Sequence, residues 1–112
     1  MADQPWPSEW LRGLLSLAVR RTLLEGPTYG YAISTALAEA GFGDVKGGTL
    51  YPLLSRLEAS GDITSEWRQG DNGPGRKYFR LTPDGESRFQ QEATKWAEFA
   101  QHTTRFINKE AT

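Results

Sequence analysis

Residues 47–61 read GGTLYPLLSRLEASG, and the fold turns on them. Leu50, Leu53, Leu54 and Leu57 recur at three- and four-residue spacing, which puts them on one face of a helix. The pattern predicts a helix over about Gly48–Ser60, terminated by Gly61. With the leucines committed to a core, Thr49, Tyr51, Ser55 and Arg56 fall on outer or flanking faces. These residue types can donate hydrogen bonds to base edges or phosphates. Two blander roles stay open: Tyr51 as a partly buried core ring, and Arg56 as a surface cation paired with an acid.

Upstream, residues 41–48 (GFGDVKGG) contain four glycines and form a turn or loop. Before it, a helix is expected from Thr28 to Ala40, with Tyr31, Ile33, Ala36 and Leu37 available to the core. An earlier amphipathic helix begins at Ser8, a good N-cap, and carries Trp10, Leu11, Leu14, Leu15, Leu17, Ala18 and Leu24. It stops at Gly26-Pro27. Residues 1–7, with two prolines, read as a flexible tail.

Downstream the texture changes. Ile63, Ser65 and Trp67, then Tyr78 and Arg80, alternate in short runs either side of the turn-rich residues 70–75, which predicts a β-hairpin. Thr82-Pro83-Asp84 with Glu86 is a strong helix start. The last helix is expected over about 83–108. On it Phe89, Ala93, Trp96, Ala100, Thr103 and Ile107 form a heptad-like seam suited to a partner helix. The fold class is therefore mainly α with a β-hairpin: a winged helix-turn-helix over 8–82 plus a dimerisation helix over 83–108. Such an architecture binds duplex DNA because a helix fits the major groove while the hairpin reaches the backbone or the adjacent minor groove.

Composition narrows the chemistry. The 112 residues are 38% hydrophobic and 12% aromatic, a globular profile the size of one domain. There is no cysteine and one histidine, which removes disulfides, thiolate metal sites and cysteine nucleophiles. His102 alone is a poor metal ligand, and no cofactor loop or acid pair stands at a productive spacing, so no cofactor, no metal and no enzymatic activity are expected. No apolar run approaches the length of a membrane span, and Asp3 stands where a targeting segment would be basic; a soluble, cytoplasmic protein is expected. Net charge is −1, yet Arg68, Arg76, Lys77 and Arg80 face a single acid, Asp71, between 68 and 80. A small basic patch on a near-neutral chain suits a dimer that presents it twice. Arg68, Arg76 and Lys77 on the hairpin are expected to neutralise phosphates.

Several stretches together resemble the PadR family of transcriptional regulators. They are Gly26-Pro27 with Tyr29-Gly30-Tyr31, then GTLYPLLSRLE at 48–58 with Gly61 and Trp67, then GRKYFRLT at 75–82 with Gly85. The resemblance covers about Leu14 to Phe106. It implies a winged helix-turn-helix repressor that dimerises through its C-terminal helix and releases DNA when a small, commonly aromatic, molecule binds. It also implies that Tyr29, Tyr31, Thr49, Tyr51, Arg56, Arg76 and Lys77 touch DNA. Where the family usually has Ser or Thr with Pro ahead of Gly-Thr-Leu-Tyr, Lys46 and Gly47 stand here. The helix start thereby forgoes a cap worth about 1 kcal/mol and gains a cation, Lys46, placed to meet a phosphate. Asp62 replaces an apolar residue and Phe79 a frequent Tyr.

Trp96 lies mid-helix on the seam. Two such rings facing across a dyad form a slot for a flat aromatic molecule, with Phe99 and Trp10 as further walls. In some multidrug-binding members of the family a tryptophan at the matching helix position does this. Equally, Trp96 simply packs the dimer core with Phe99 and Phe89. Trp6 and Trp10 either line the same cavity or clamp the partner subunit. The competing function is a dimeric small-molecule-binding or protein-interaction module with little specific DNA affinity.

Overall fold

The computed structural model describes residues 4–70 and 73–109. Among these, four helices and three strands follow in the order α1 (Ser8–Leu23), β1 (Thr28–Tyr29), α2 (Gly30–Glu39), α3 (Gly47–Ala59), β2 (Ile63–Gly70), β3 (Gly73–Leu81) and α4 (Pro83–Asn108). The leucine stripe of α3 forms the centre of the core: Leu50, Leu53, Leu54 and Leu57 are all buried. Leu11, Leu15, Val19 and Leu23 of α1, Ile33 and Leu37 of α2, Val45, Ile63 and Phe79 complete it. Each such side chain contributes roughly 1.5–3 kcal/mol of burial. The result is a winged helix-turn-helix followed by a long helix.

Some boundaries differ from the sequence reading. Helix α1 has Pro7 at its N-cap and no side-chain cap, so Ser8 is its first residue instead of its cap. Thr28 and Tyr29 are not helical. They pair antiparallel with β3, Thr28 opposite Phe79 and Tyr29 opposite Tyr78, giving a three-stranded sheet in the order β1-β3-β2 instead of a lone hairpin. The free edge of β3 offers ladder hydrogen bonds that a first helical turn would leave unmade. Tyr31 is not a core residue but 75% exposed. The segment 4–7, expected to be a flexible tail, is anchored: Gln4 Nε2 donates to the Asp44 carbonyl (2.8 Å) and Trp6 Nε1 to the Gly41 carbonyl (2.9 Å). Met1 to Asp3 and the turn residues Asp71 and Asn72 lie outside the described residues.

Two buried polar residues bind the helices together. Arg20, 3% exposed, donates to the Ser16 carbonyl (3.1 Å), to Ser16 Oγ (3.0 Å) and to Glu92 Oε1 (2.7 Å), tying α1 to α4. Asp62, at the turn after α3, accepts from Arg88 Nε (2.6 Å) and Ser60 Oγ (2.9 Å). Burial raises the Asp62 pKa, but these hydrogen bonds outweigh it and hold the carboxyl below its ordinary value of 3.8.

The start of α4 is a tight joint. Thr82 Oγ1 accepts from Gly85 N (2.9 Å) as the N-cap and donates to the Gly61 carbonyl (2.7 Å). Gly85 lies against the Asp62 backbone, where a Cβ would come within 2.7 Å of the carbonyl carbon, so only glycine fits. Beyond this root α4 projects. Its 26 residues span about 39 Å. Only Gly85 and Phe89 among them are buried. The radius of gyration, 15.9 Å, accordingly exceeds the roughly 13 Å of a compact chain of this size.

Candidate nucleic-acid interface

Helix α3 turns its leucines inward, which leaves Thr49, Tyr51, Ser55 and Arg56 exposed on the other side. Tyr51 is 51% exposed, so it is a surface ring. The ring lies against Gly30 at the start of α2, where a Cβ would come within 2.6 Å of Tyr51 Cζ. The glycine between Tyr29 and Tyr31 therefore makes room for the Tyr51 ring. Lys46, the N-cap residue of α3, is exposed and paired with Asp44 (2.9 Å).

The wing is built by β2 and β3, with Trp67 opposite Lys77 and Arg68 opposite Arg76. Side chains directly opposite share a face, so each pair points to its own side of the sheet. On the outer face the Arg76 guanidinium stacks over the Tyr29 ring and that of Arg68 over Tyr78, each 4.4 Å from the centroid. The two rings meet edge to face at 5.4 Å. A stacked guanidinium keeps its N–H edge free for phosphate while its side chain is held in one arrangement. Arg68 is also paired with Glu66 (3.0 Å). On the inner face Glu58 of α3 accepts from Ser65 Oγ (2.5 Å) and lies 3.8 Å from Lys77 Nζ, pinning the wing to the helix.

Helix and wing enclose a groove of about 390 Å³. Tyr29, Tyr31, Tyr51, Arg76 and Lys77, candidates from the sequence, converge on it. Thr49, Ser55, Arg56, Arg68 and Lys46 do not line it; Lys46 and Thr49 border a separate hollow of about 210 Å³ beside Gln4 and Arg12. Trp67 joins the groove without having been among the sequence candidates. Its alternation with Ser65 and Ile63 on β2 was the available signal.

The aromatic residues of α4 lie elsewhere. A hollow of about 670 Å³ between α1 and α4 is walled by Leu17, Arg20, Trp96, Phe99 and His102. Trp10 is not among its walls and is 64% exposed, and Trp6 packs on the loop after α2. Along the seam Phe89 is buried within its own chain, whereas Ala93, Ala100 and Thr103 are half-buried and Trp96 and Ile107 exposed. Among the described residues, no group of three His, Asp or Glu side chains could hold a metal ion, and no helix is long and apolar enough to cross a membrane.

A helix presented to the outside, backed by leucines and flanked by a cationic wing, defines the winged helix-turn-helix class of regulators. Residues 21–91 match the transcriptional regulator PadR-like family, and the chain belongs to it. A transcriptional regulator of Mycobacterium tuberculosis is 33% identical over 92 residues, covering 82% of this chain and 84% of that one. The crystal structure of a PadR family transcriptional regulator from Eggerthella lenta matches with TM-score 0.82 and 33% identity, over 92% of this chain and 89% of that one. A PadR-like transcriptional regulator from Bacillus cereus matches with TM-score 0.79 and 27% identity, over 91% of this chain and 99% of that one. The family comprises DNA-binding regulators and not enzymes.

Proposed function

We propose that this chain is a cytoplasmic transcriptional repressor that recognises a particular duplex sequence as a homodimer and releases it when a small aromatic molecule binds. The observation that carries the reading is the groove joining α3 to the wing, where Tyr29, Tyr31, Tyr51, Arg76 and Lys77 converge. Thr49, Tyr51, Ser55 and Arg56 address base edges or adjacent phosphates, and Lys46, Arg68, Arg76 and Lys77 neutralise phosphates.

Support for the dimer comes from the projecting half of α4. It exposes Trp96 (41%), Phe99 (61%), Ile107 (68%) and Phe106 (80%), an apolar stripe that a second copy would cover. Support for an aromatic effector comes from the hollow between α1 and α4, where Trp96 and Phe99 offer ring faces.

Titration against the DNA upstream of the protein's own gene tests the reading. Tight binding that weakens steeply with salt is expected of a repressor. Exchanging Arg76 and Lys77 for Ala lowers affinity for all DNA and reduces the salt slope by about 1 per lost contact. Equal, weak binding to every duplex would instead favour the dimeric ligand- or protein-binding module, which the net charge of −1 suits.

A further inference from the structure

We propose that the indole of Trp67 packs against the sugar–phosphate backbone of one DNA strand, where that strand crosses between α3 and the wing. The inference rests on the DNA-binding reading above and adds to it an apolar contact. Trp67 is 72% exposed although tryptophan is costly to leave in water. It pairs across the sheet with Lys77 and shares that face with Ser65 and Phe79. At the base of this face Phe79 is buried and Ser65 is bonded to Glu58 of α3. At the open end Trp67 and Lys77 face into the groove, with Tyr31 and Tyr51 opposite on the helices.

The order of surfaces in this groove matches one feature of duplex DNA. A strand's backbone is the ridge between the two grooves, so a helix in the major groove and a wing beside it straddle one such ridge. That ridge alternates deoxyribose, with apolar C–H faces, and phosphate, with negative charge. Among its lining residues the protein groove has aromatic rings for the first, and Arg76 and Lys77 for the second. Base edges lie deeper, on the α3 side of the ridge. Burying the indole contributes binding that counterion release does not touch, whereas the cations contribute the salt-dependent part.

The test uses the full-length chain and a fluorescein-labelled duplex that the wild type selects from a random pool, with anisotropy titrations across a salt series. Trp67→Ala is expected to weaken binding about tenfold or more with an unchanged salt slope. The same fold-loss is expected on a scrambled duplex, because the backbone is common to both. Trp67→Phe recovers most of the affinity. Unaltered affinity in Trp67→Ala overturns the proposal. So does a loss with a shallower salt slope, which would mean that Trp67 only positions Lys77, and so does a loss confined to the selected sequence, which would make it a base reader. A changed oligomeric state would assign the indole to a second copy and also overturns it. Failure of the wild type to select any duplex removes the DNA-binding reading itself; wild-type binding with an indifferent Trp67→Ala removes this inference alone.

Discussion

Gly30, the first residue of α2, lies directly under the Tyr51 ring of α3, so that a methyl group there would meet Cζ at 2.6 Å. The ring is half exposed and its far end can swing outward, so relief is cheap for the fold. Gly30→Ala should therefore shift stability by less than about 1 kcal/mol. DNA affinity should nevertheless fall, because the displaced phenol no longer lines the groove. Melting temperature and anisotropy measured on the same variant check the separation. A variant equal to wild type in both would mean that Tyr51 has no fixed role.

The Asp62–Arg88 pair gives a pH dependence. The Asp62 carboxyl, held below its ordinary pKa of 3.8, binds a proton more weakly folded than unfolded. Its stabilisation is thus complete above that value and disappears as pH falls through the lowered one. Asp62→Asn should cost about 1–2 kcal/mol at neutral pH, near the low end because Arg88 is partly exposed. Denaturant melts at pH 7 and below pH 3.8 should show the difference between wild type and variant shrinking with acid.

Arg20 and Glu92 make a pair with unequal partners, 4% and 52% exposed at their side chains. Removing the carboxylate leaves a buried cation hydrogen-bonded to Ser16 alone, with the Asp62 charge acting on it only at longer range, whereas replacing the arginine by an apolar chain of similar length leaves a half-solvated acid. Glu92→Ala should consequently be the more harmful, by about 2–3 kcal/mol, with Arg20→Met near 1 kcal/mol or below. Chemical denaturation of the two variants ranks them; the reverse order would show that the pair is not what joins α1 to α4.

For the projecting helix, Trp96→Ala should weaken both self-association and binding of flat aromatic compounds. Sedimentation and quenching of tryptophan emission measure the two. If neither changes, the seam and the effector hollow fall together.

Much of this was legible in the chain. The leucine spacing of α3 and the Thr82-Pro83 start of α4 are local signals, and each gave its element within a residue or two, whereas the alternation of the wing gave the hairpin but not its reach, since β2 extends to Gly70 and β3 starts at Gly73, inside the stretch that reads as turn. The short strand at Thr28–Tyr29 was not legible, because its partner, β3, lies some fifty residues away. Neither was the burial of Arg20, since a charged residue on an amphipathic helix reads as its solvated face until Glu92 arrives from another element. Tyr29, Tyr31, Tyr51, Arg76 and Lys77 were individually nameable, but the groove they share depends on how the wing closes on α3 through Glu58. The place of Trp67 in that groove is not legible in the sequence, because its neighbour there, Tyr51, is sixteen residues earlier and on a different element.

One hydroxyl, that of Thr82, bonds the first turn of α4 to the turn that ends α3, and Gly85 leaves no slack between them. The long helix is thus a lever whose pivot sits at the turn that ends α3. A tilt imposed at its far end, some turns beyond Trp96, would reach the turn that ends α3 through this joint.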